Sequence, residues 1–249
     1  LGEPEGGMGA AFGDYDGDGY MDLVVTNYQD QVNALYRNER GAMFSHTSHA
    51  TATALLTYPL VGWGVGFVDV DNDADLDMFV ANGHLLVNVA EHDPTTSYVQ
   101  RNLLYVNDSA GGYDERGEEA MVGGALSSRG AAFGDYDNDG DTDIVVVNAG
   151  APPTLLRNDT SDSGHWLGVR LVGSTSNRSG VGARVTVTTG LTQTRDVTTA
   201  VGYASASDPR ALFGLAGQDA AARVTVRWPS GATSVLDGVQ SDQYITIAE

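Results

Sequence analysis

The chain has 249 residues, a formal net charge of −20 and no cysteine. The acidic excess argues against nucleic acid or an anionic membrane surface as the main partner, because both carry negative charge themselves. The lack of cysteine excludes a disulfide framework, a thiolate metal site and a cysteine nucleophile. No apolar run approaches the roughly 20 residues that a membrane-spanning helix needs, so no membrane span is expected.

The first predicted element is a short strand that recurs twice further along the chain. Residues 9–16 read GAAFGDYD, and residues 130–137 read the same letters. A more diverged copy, GVGFVDVD, occupies residues 64–71. Self-similarity of this kind indicates a repeat architecture, in which each copy forms one supersecondary unit.

Each copy then continues in the same order, with an acidic loop, an apolar strand and, after a turn, a third strand. The apolar runs are rich in Val, Ile and Leu and lie between Asp and Asn residues, which predicts strands buried in a sheet. A fourth strand is expected near residues 42–47 and 112–116. We therefore predict three propeller-blade-like four-stranded repeats, at about residues 1–55, 56–120 and 121–162.

The pattern changes near residue 164, after a predicted boundary at residues 161–164. Beyond this point short strands rich in Val and Thr alternate with turn residues, and no stretch shows a convincing helical period. Residues 163–249 are therefore predicted to form a C-terminal β-sandwich or barrel-like domain. The predicted fold class is all-β throughout.

Three acidic loops carry aspartates at positions 1, 3, 5 and 9, counted from the first aspartate of each loop. Ca²⁺ takes about six to eight oxygen ligands, and a tightly coiled loop turns alternate side chains towards one centre. Position 7 is expected to contribute its backbone carbonyl. The predicted ligands are Asp14, Asp16, Asp18, Tyr20 and Asp22 in loop one, Asp69, Asp71, Asp73, Asp75 and Asp77 in loop two, and Asp135, Asp137, Asp139, Asp141 and Asp143 in loop three.

The EF-hand is the main alternative for such loops, but it requires Glu at position 12, where this chain has Val25, Val80 and Val146. Mg²⁺ is a poorer candidate because it keeps several waters and seldom fills an all-protein cage. A solvated acidic turn explains one such loop, but three copies at fixed spacing argue against it. We therefore predict three calcium sites. Loop two should be the most strained, because Ala74 replaces glycine at position 6.

These loops resemble the FG-GAP/VCBS repeats of integrin-type β-propellers, with FGDYDGDG at residues 12–19. The C-terminal part resembles the ASPIC/UnbV domain in HWLGVRL at residues 165–171, SNRSGVGA at residues 176–183 and VRWPSG at residues 226–231. The resemblance implies calcium-stabilised blades, export and adhesion or matrix roles, with no established catalytic residues. Closed propellers of this type need about seven blades, so three repeats leave strand edges or faces uncovered.

The expected function is that of a secreted calcium-binding structural or adhesive protein, outside the cell or at its surface. Open blade edges invite pairing with another chain, so self-association into an oligomer or fibril is a hypothesis. The alternative is a non-catalytic module that binds a glycan or protein within a larger exported protein or enzyme. No catalytic activity is expected, because the acidic clusters belong to the loops and His84 and His92 have no acidic orienter at a telling spacing.

Three Asn-x-Ser/Thr sequons begin at Asn107, Asn158 and Asn177. They matter only if the chain passes a glycosylating secretory route. All three lie in predicted turns, which makes them candidate N-glycosylation sites.

Overall fold

The computed structural model describes residues 4–120, 122–160 and 163–249. Two residues of the predicted domain boundary, 161 and 162, lie outside these ranges, as does residue 121, the predicted start of the third repeat. Within them the chain is all-β, as predicted, and no α-helix is present. The short 3₁₀ helices are Leu55–Thr57 and Val89–Glu91. No helix of the described part is long and apolar enough to cross a membrane.

Each repeat forms one antiparallel sheet whose strands follow chain order. The first sheet contains β1 (Ala10–Gly13), β2 (Asp22–Val25), β3 (Ala34–Asn38) and β4 (Phe44–His46). The second contains β5 (Gly62–Val68), β6 (Asp77–Asn82), β7 (Leu103–Asn107) and β8 (Tyr113–Glu115). The third contains β9 (Ser128–Gly134), β10 (Asp143–Asn148) and β11 (Thr154–Leu156).

The third sheet therefore differs from the four strands expected of each repeat, since the described residues supply three. Only residues 157–164 separate β11 from the next strand, which already belongs to the C-terminal domain. In the first sheet the turn and the fourth strand together take residues 39–46, and a stretch of the same length here would leave nothing to connect to β12.

The C-terminal domain consists of two sheets that share one core, as in a β-sandwich. Its strands are β12 (His165–Val172), β13 (Arg184–Thr188), β14 (Thr192–Asp196), β15 (Ala211–Ala216), β16 (Ala220–Arg227), β17 (Thr233–Gln240) and β18 (Gln243–Ala248). The three-stranded sheet has the order β15-β12-β18, in which β12 and β18 are parallel, and the four-stranded sheet has the order β14-β13-β16-β17. The core includes Leu167, Val185, Phe213 and Trp228, all at most 2% exposed.

The second sheet lies between the other two, which explains why β6 is buried along its whole length. Every residue from Asp77 to Asn82 is buried. Successive strand residues point to opposite faces. Met78 and Val80 therefore join the core shared with the first sheet, whereas Phe79 and Ala81 join the core shared with the third.

Adjacent sheets approach most closely along their first strands, where glycine recurs at one repeat position. A Cβ atom on Gly9 would overlap the carbonyl oxygen of Trp63 in the second sheet, and Gly64 faces the third sheet in the same way. At Gly130 the corresponding neighbour is the carbonyl oxygen of Tyr203, 3.3 Å from a Cβ built there. Tyr203 belongs to the C-terminal domain. A loop of that domain thus lies where the first strand of a fourth sheet would lie.

The arc of three sheets is open at its two outer faces. On the first sheet Phe12 is 64% exposed, whereas its equivalent Phe67 packs against Gly13 of the preceding sheet. On the outer face of the third sheet Val145 and Leu155 are 41% and 50% exposed. Both ends therefore present apolar surface of the kind that sheet-to-sheet packing buries.

Candidate metal centres

Each acidic loop connects the first strand of its sheet to the second, so the strand ends fix where the loop begins and ends. In every loop three aspartates place one carboxylate oxygen each within 4.8 Å of the others. The groups are Asp14, Asp16 and Asp18 in loop one, Asp69, Asp71 and Asp77 in loop two, and Asp135, Asp137 and Asp143 in loop three. Nine of the predicted ligands thus meet in threes.

The other predicted ligands lie in the same loops but outside these tight groups. They are Tyr20 and Asp22 in loop one, Asp73 and Asp75 in loop two, and Asp139 and Asp141 in loop three. At position 7 the side chain of Tyr20 is 40% exposed, and that of Asp75 accepts a hydrogen bond from Ser109. At position 7 the predicted ligand is therefore the backbone carbonyl and not the side chain, and Asp22, Asp73 and Asp139 stay predicted ligands.

All three loops coil in the same way, because the position-1 carboxylate accepts a hydrogen bond from the position-6 backbone amide. The N···O distances are 3.0, 3.1 and 2.9 Å in loops one, two and three. The position-6 residues, Gly19, Ala74 and Gly140, have φ angles of +88°, +85° and +96°. Ala74 is therefore held in a conformation that only glycine adopts freely, which confirms the predicted strain in loop two.

Replacing Ala74 with glycine is expected to raise the free energy of unfolding by about 1 kcal/mol, because the left-handed strain disappears. Urea unfolding in the presence of a chelator measures this effect without a contribution from bound cations. Gly19→Ala in loop one is the matched control and should cost a similar amount, since a Cβ there meets no atom within 4 Å. A destabilised Ala74→Gly chain would contradict this account of the strain.

The position-9 aspartates hold each loop against the third strand of its sheet. In loop two the backbone amides of Val70 and Asn107 both donate to Asp77, each at 2.8 Å. Loops one and three repeat the arrangement, with an asparagine at or just after the end of the third strand as the donor. This role was not predicted, although the recurrence of asparagine at Asn38, Asn107 and Asn158 is a sequence signal for it.

The hydrogen bonds of the sequon asparagines show which side-chain amides are accessible to a glycan. The side-chain amide of Asn107 is buried and donates to the carbonyl oxygens of Tyr15 and Leu76, at 3.1 and 3.2 Å. A glycan at this nitrogen would displace both hydrogen bonds, so the folded packing disfavours modification of Asn107. Asn158 likewise donates its side-chain amide to Val70 at 2.7 Å. Asn177 is exposed, and its side-chain amide donates only to the carbonyl oxygen of Val181, at 2.7 Å, so of the three it is the most accessible.

The carboxylates of the loops lie in an environment that penalises their charge. Burial is the main cause in each case, and it raises the pKa of Asp77 to about 8 and those of Asp22 and Asp69 to about 7. Burial, with added repulsion from neighbouring aspartates, raises the pKa of Asp14 to about 6. At neutral pH such a cage must bind protons, remain repulsive or hold a cation.

Several buried carboxylate oxygens also have no hydrogen-bond partner among the described residues. They are Oδ1 of Asp14, Oδ2 of Asp18 and Oδ1 of Asp71. A buried polar atom without a partner is costly and calls for a specific explanation. Oxygen-only donors on a flexible, coiled loop match the coordination that Ca²⁺ prefers, so the residues fit this ion.

Comparison with known proteins agrees with this architecture. Residues 14–80 match the family described as FG-GAP-like repeat, and residues 173–249 match the family described as ASPIC and UnbV. The chain carries an FG-GAP-like repeat and an ASPIC/UnbV domain. The resemblance inferred from sequence is thereby confirmed. The FG-GAP-like match contains loops one and two, whereas the ASPIC/UnbV match falls within the C-terminal domain.

Relatives named cartilage acidic protein 1 match over most of the chain. The protein of Mus musculus is 29% identical over 255 residues, which cover 98% of this chain and 36% of the relative. The protein of Homo sapiens is 29% identical over 240 residues, covering 90% and 33%. The protein of Xenopus tropicalis is 25% identical over 245 residues, covering 93% and 35%. The chain thus spans about a third of the length of the curated relatives it matches.

Proposed function

We propose that this chain is an extracellular calcium-binding structural module, in which Ca²⁺ at loops one, two and three ties together the strands of each repeat. The observation that carries the proposal is the set of buried carboxylate oxygens without partners in loops one and two, together with the group of three clustered carboxylates that recurs in loop three. A cation there would join the end of one strand to the start of the next. It would also remove the repulsion that the clustered aspartates otherwise suffer.

The location outside the cell is supported by the kind of site and by the charge of the chain. Calcium loops of extracellular modules bind at about 10⁻⁴ to 10⁻³ M, which suits a compartment where the ion is abundant. The relatives' name refers to cartilage and to acidity, and this chain has a formal net charge of −20. These features favour a matrix or adhesive role over an enzymatic one.

Calorimetric titration with CaCl₂ tests the proposal, and three ions per chain are expected. Asp16→Asn, Asp71→Asn and Asp137→Asn should each remove or weaken one site, because each carboxylate belongs to one oxygen group. Asp219→Asn is the control, since that side chain is 95% exposed and lies outside the loops. Equal stoichiometry and affinity in the triple variant would overturn the proposal.

Self-association through the two open faces is a second candidate function. It is favoured by the exposure of Phe12, whose equivalents in the other sheets are covered by a neighbouring sheet. Sedimentation velocity in millimolar calcium should reveal oligomers, and Phe12→Ser should reduce them. A monomer at all concentrations, with or without this substitution, would exclude the candidate.

The stabilising effect of calcium is expected to grow as the pH rises. In the cation-free chain the pKa values of Asp14, Asp69 and Asp77 are raised by burial to between about 6 and 8. The folded state therefore binds protons more tightly than the unfolded state. This tighter proton binding stabilises the cation-free chain at low pH, and the stabilisation is lost as the pH rises from about 4 to 8.

Bound calcium replaces those protons, so the calcium-bound chain should not lose stability as the pH rises. Melting temperatures in calcium and in chelator, measured from pH 5.5 to pH 8.5, should therefore diverge with increasing pH. A cation-free chain that becomes more stable over this interval would contradict the origin assigned to the raised pKa values.

A further inference from the structure

The C-terminal domain has a hydrophobic core of its own, made of residues between Leu167 and Ile247. None of the residues in that cluster comes from the three repeats. Its stability therefore does not require the repeats to supply apolar partners. Contacts with the three repeats therefore hold the domain in place, and many of these contacts are made to loops two and three.

Loop three is held by two side chains of the C-terminal domain. The hydroxyl of Tyr244 donates to Oδ2 of Asp135, the first predicted ligand of the loop, at 2.7 Å. The guanidinium of Arg210 donates to the backbone oxygen of Asp135 and to Oδ1 of Asn138, both at 2.6 Å. It also lies 4.3 Å from the centre of the Tyr244 ring, which orients both groups.

Loop two is held by backbone hydrogen bonds from the same domain. The amide of Gly164 donates to the carbonyl of Asp71 at 2.9 Å, and the amide of Ala216 donates to the carbonyl of Asn72 at 2.8 Å. The side-chain amide of Asn72 donates in turn to Oδ1 of Asp141 at 2.8 Å. Loops two and three and the C-terminal domain therefore form one connected network.

Two glycines show how closely the C-terminal domain packs against loops two and three. A Cβ atom on Gly140 of loop three would overlap the ring of Trp166, and one on Gly214 would overlap Asp69 of loop two. In loop one the glycine equivalent to Gly140 is Gly19, which has open space around it. Loop one is thus a natural internal comparison, with the same coil but no such contact.

We propose that Tyr244 and Arg210 position loop three for its cation, and that cation binding at loops two and three is coupled to docking of the C-terminal domain. The inference rests on the proposed calcium binding. The docking contacts are made to Asp135, Asp71 and Asn72, whose positions depend on the coil of the loop. A cation that fixes the coil favours docking, and by linkage docking must favour the cation equally.

Hydrogen exchange of the 249-residue chain, read by mass spectrometry, tests the coupling with calcium itself as the probe. Chelation should accelerate exchange of the amides of Gly164, Asp208 and Ala216 about tenfold, because their acceptors lie in the repeats. Amides within β13 and β16 should stay protected, since the domain remains folded. Protected interface amides in a chain shown by calorimetry to bind and release calcium would overturn the inference alone.

A matched pair of variants separates docking from general destabilisation. Asp16 and Asp137 occupy position 3 of loops one and three, and each is paired with an arginine after the loop, at 2.7 and 3.3 Å. Asp137→Asn should raise exchange at the interface amides in the presence of calcium, whereas Asp16→Asn should not. Equal effects from both variants would overturn the coupling.

The reciprocal experiment removes one atom from the C-terminal domain. Tyr244→Phe keeps the ring against Trp166 but deletes the hydroxyl that binds Asp135. Loss of a charge-assisted hydrogen bond should weaken calcium binding at loop three about tenfold in calorimetry. Tyr58→Phe, at a 52% exposed position far along the chain from loop three, is the control. Unchanged affinity in Tyr244→Phe would show that the tyrosine does not position the loop.

Discussion

Excess EDTA is expected to lower the melting temperature of this chain by about 10 to 30 °C relative to 10 mM calcium. A site with a dissociation constant of about 10⁻⁴ to 10⁻³ M contributes roughly 1.4 to 2.7 kcal/mol at that concentration. Three such sites together contribute about 4 to 8 kcal/mol. For a chain of this size each kcal/mol corresponds to about 2 to 4 °C.

Differential scanning calorimetry measures this shift directly. Magnesium at the same concentration is the control for ionic strength and charge, and it should restore little of the lost stability because it dehydrates reluctantly. The triple variant Asp16→Asn, Asp71→Asn and Asp137→Asn should melt at nearly the same temperature in both buffers. A wild-type chain that melts identically in calcium and in EDTA would remove the basis of the proposed function.

Asp77→Ala is expected to be among the most damaging single substitutions in the repeats, costing about 3 to 5 kcal/mol in calcium. The side chain is 1% exposed and accepts hydrogen bonds from the amides of Val70 and Asn107. Removing it leaves two backbone donors without partners, at about 1 to 3 kcal/mol each, and removes a predicted ligand.

Urea unfolding in calcium and in chelator separates these contributions. In chelator the cost should be smaller, because deleting a buried carboxyl whose pKa is raised to about 8 also removes its desolvation penalty. Asp75→Ala is the control in the same loop, since that side chain reaches Ser109 rather than the oxygen group. Equal costs for the two variants in calcium would show that position 9 has no special role.

Much of the fold was predictable because the signals are local. Strict recurrence of eight residues located the repeats, and apolar runs between Asp and Asn located the second strands. The strain at Ala74 followed from comparing one position across three loops. The prediction of four strands was wrong for the third repeat, because only residues 157–164 separate β11 from β12.

Contacts between distant segments left no such signal. The hydrogen bond from Tyr244 to Asp135 joins residues 109 apart in the chain, and nothing in the sequence around either residue indicates the pairing. The same holds for Tyr203, which lies against Gly130 in the place of a missing strand. Such pairings depend on how two folded domains fit together, which periodicity does not encode.

The contacts of the Asn107 side chain could not be predicted from its sequon. The motif Asn-x-Ser gives no information on whether the amide is already engaged, and here it donates to two carbonyl oxygens. The recurrence of asparagine at or just after the end of the third strand in every repeat indicates a structural role for this residue.

Anomalous diffraction from crystals grown in calcium tests the central claim most directly. A long-wavelength anomalous map should show one peak in each of loops one, two and three, surrounded by oxygen atoms at about 2.3 to 2.6 Å. Loops that lack such peaks and turn their aspartates towards solvent would contradict the account.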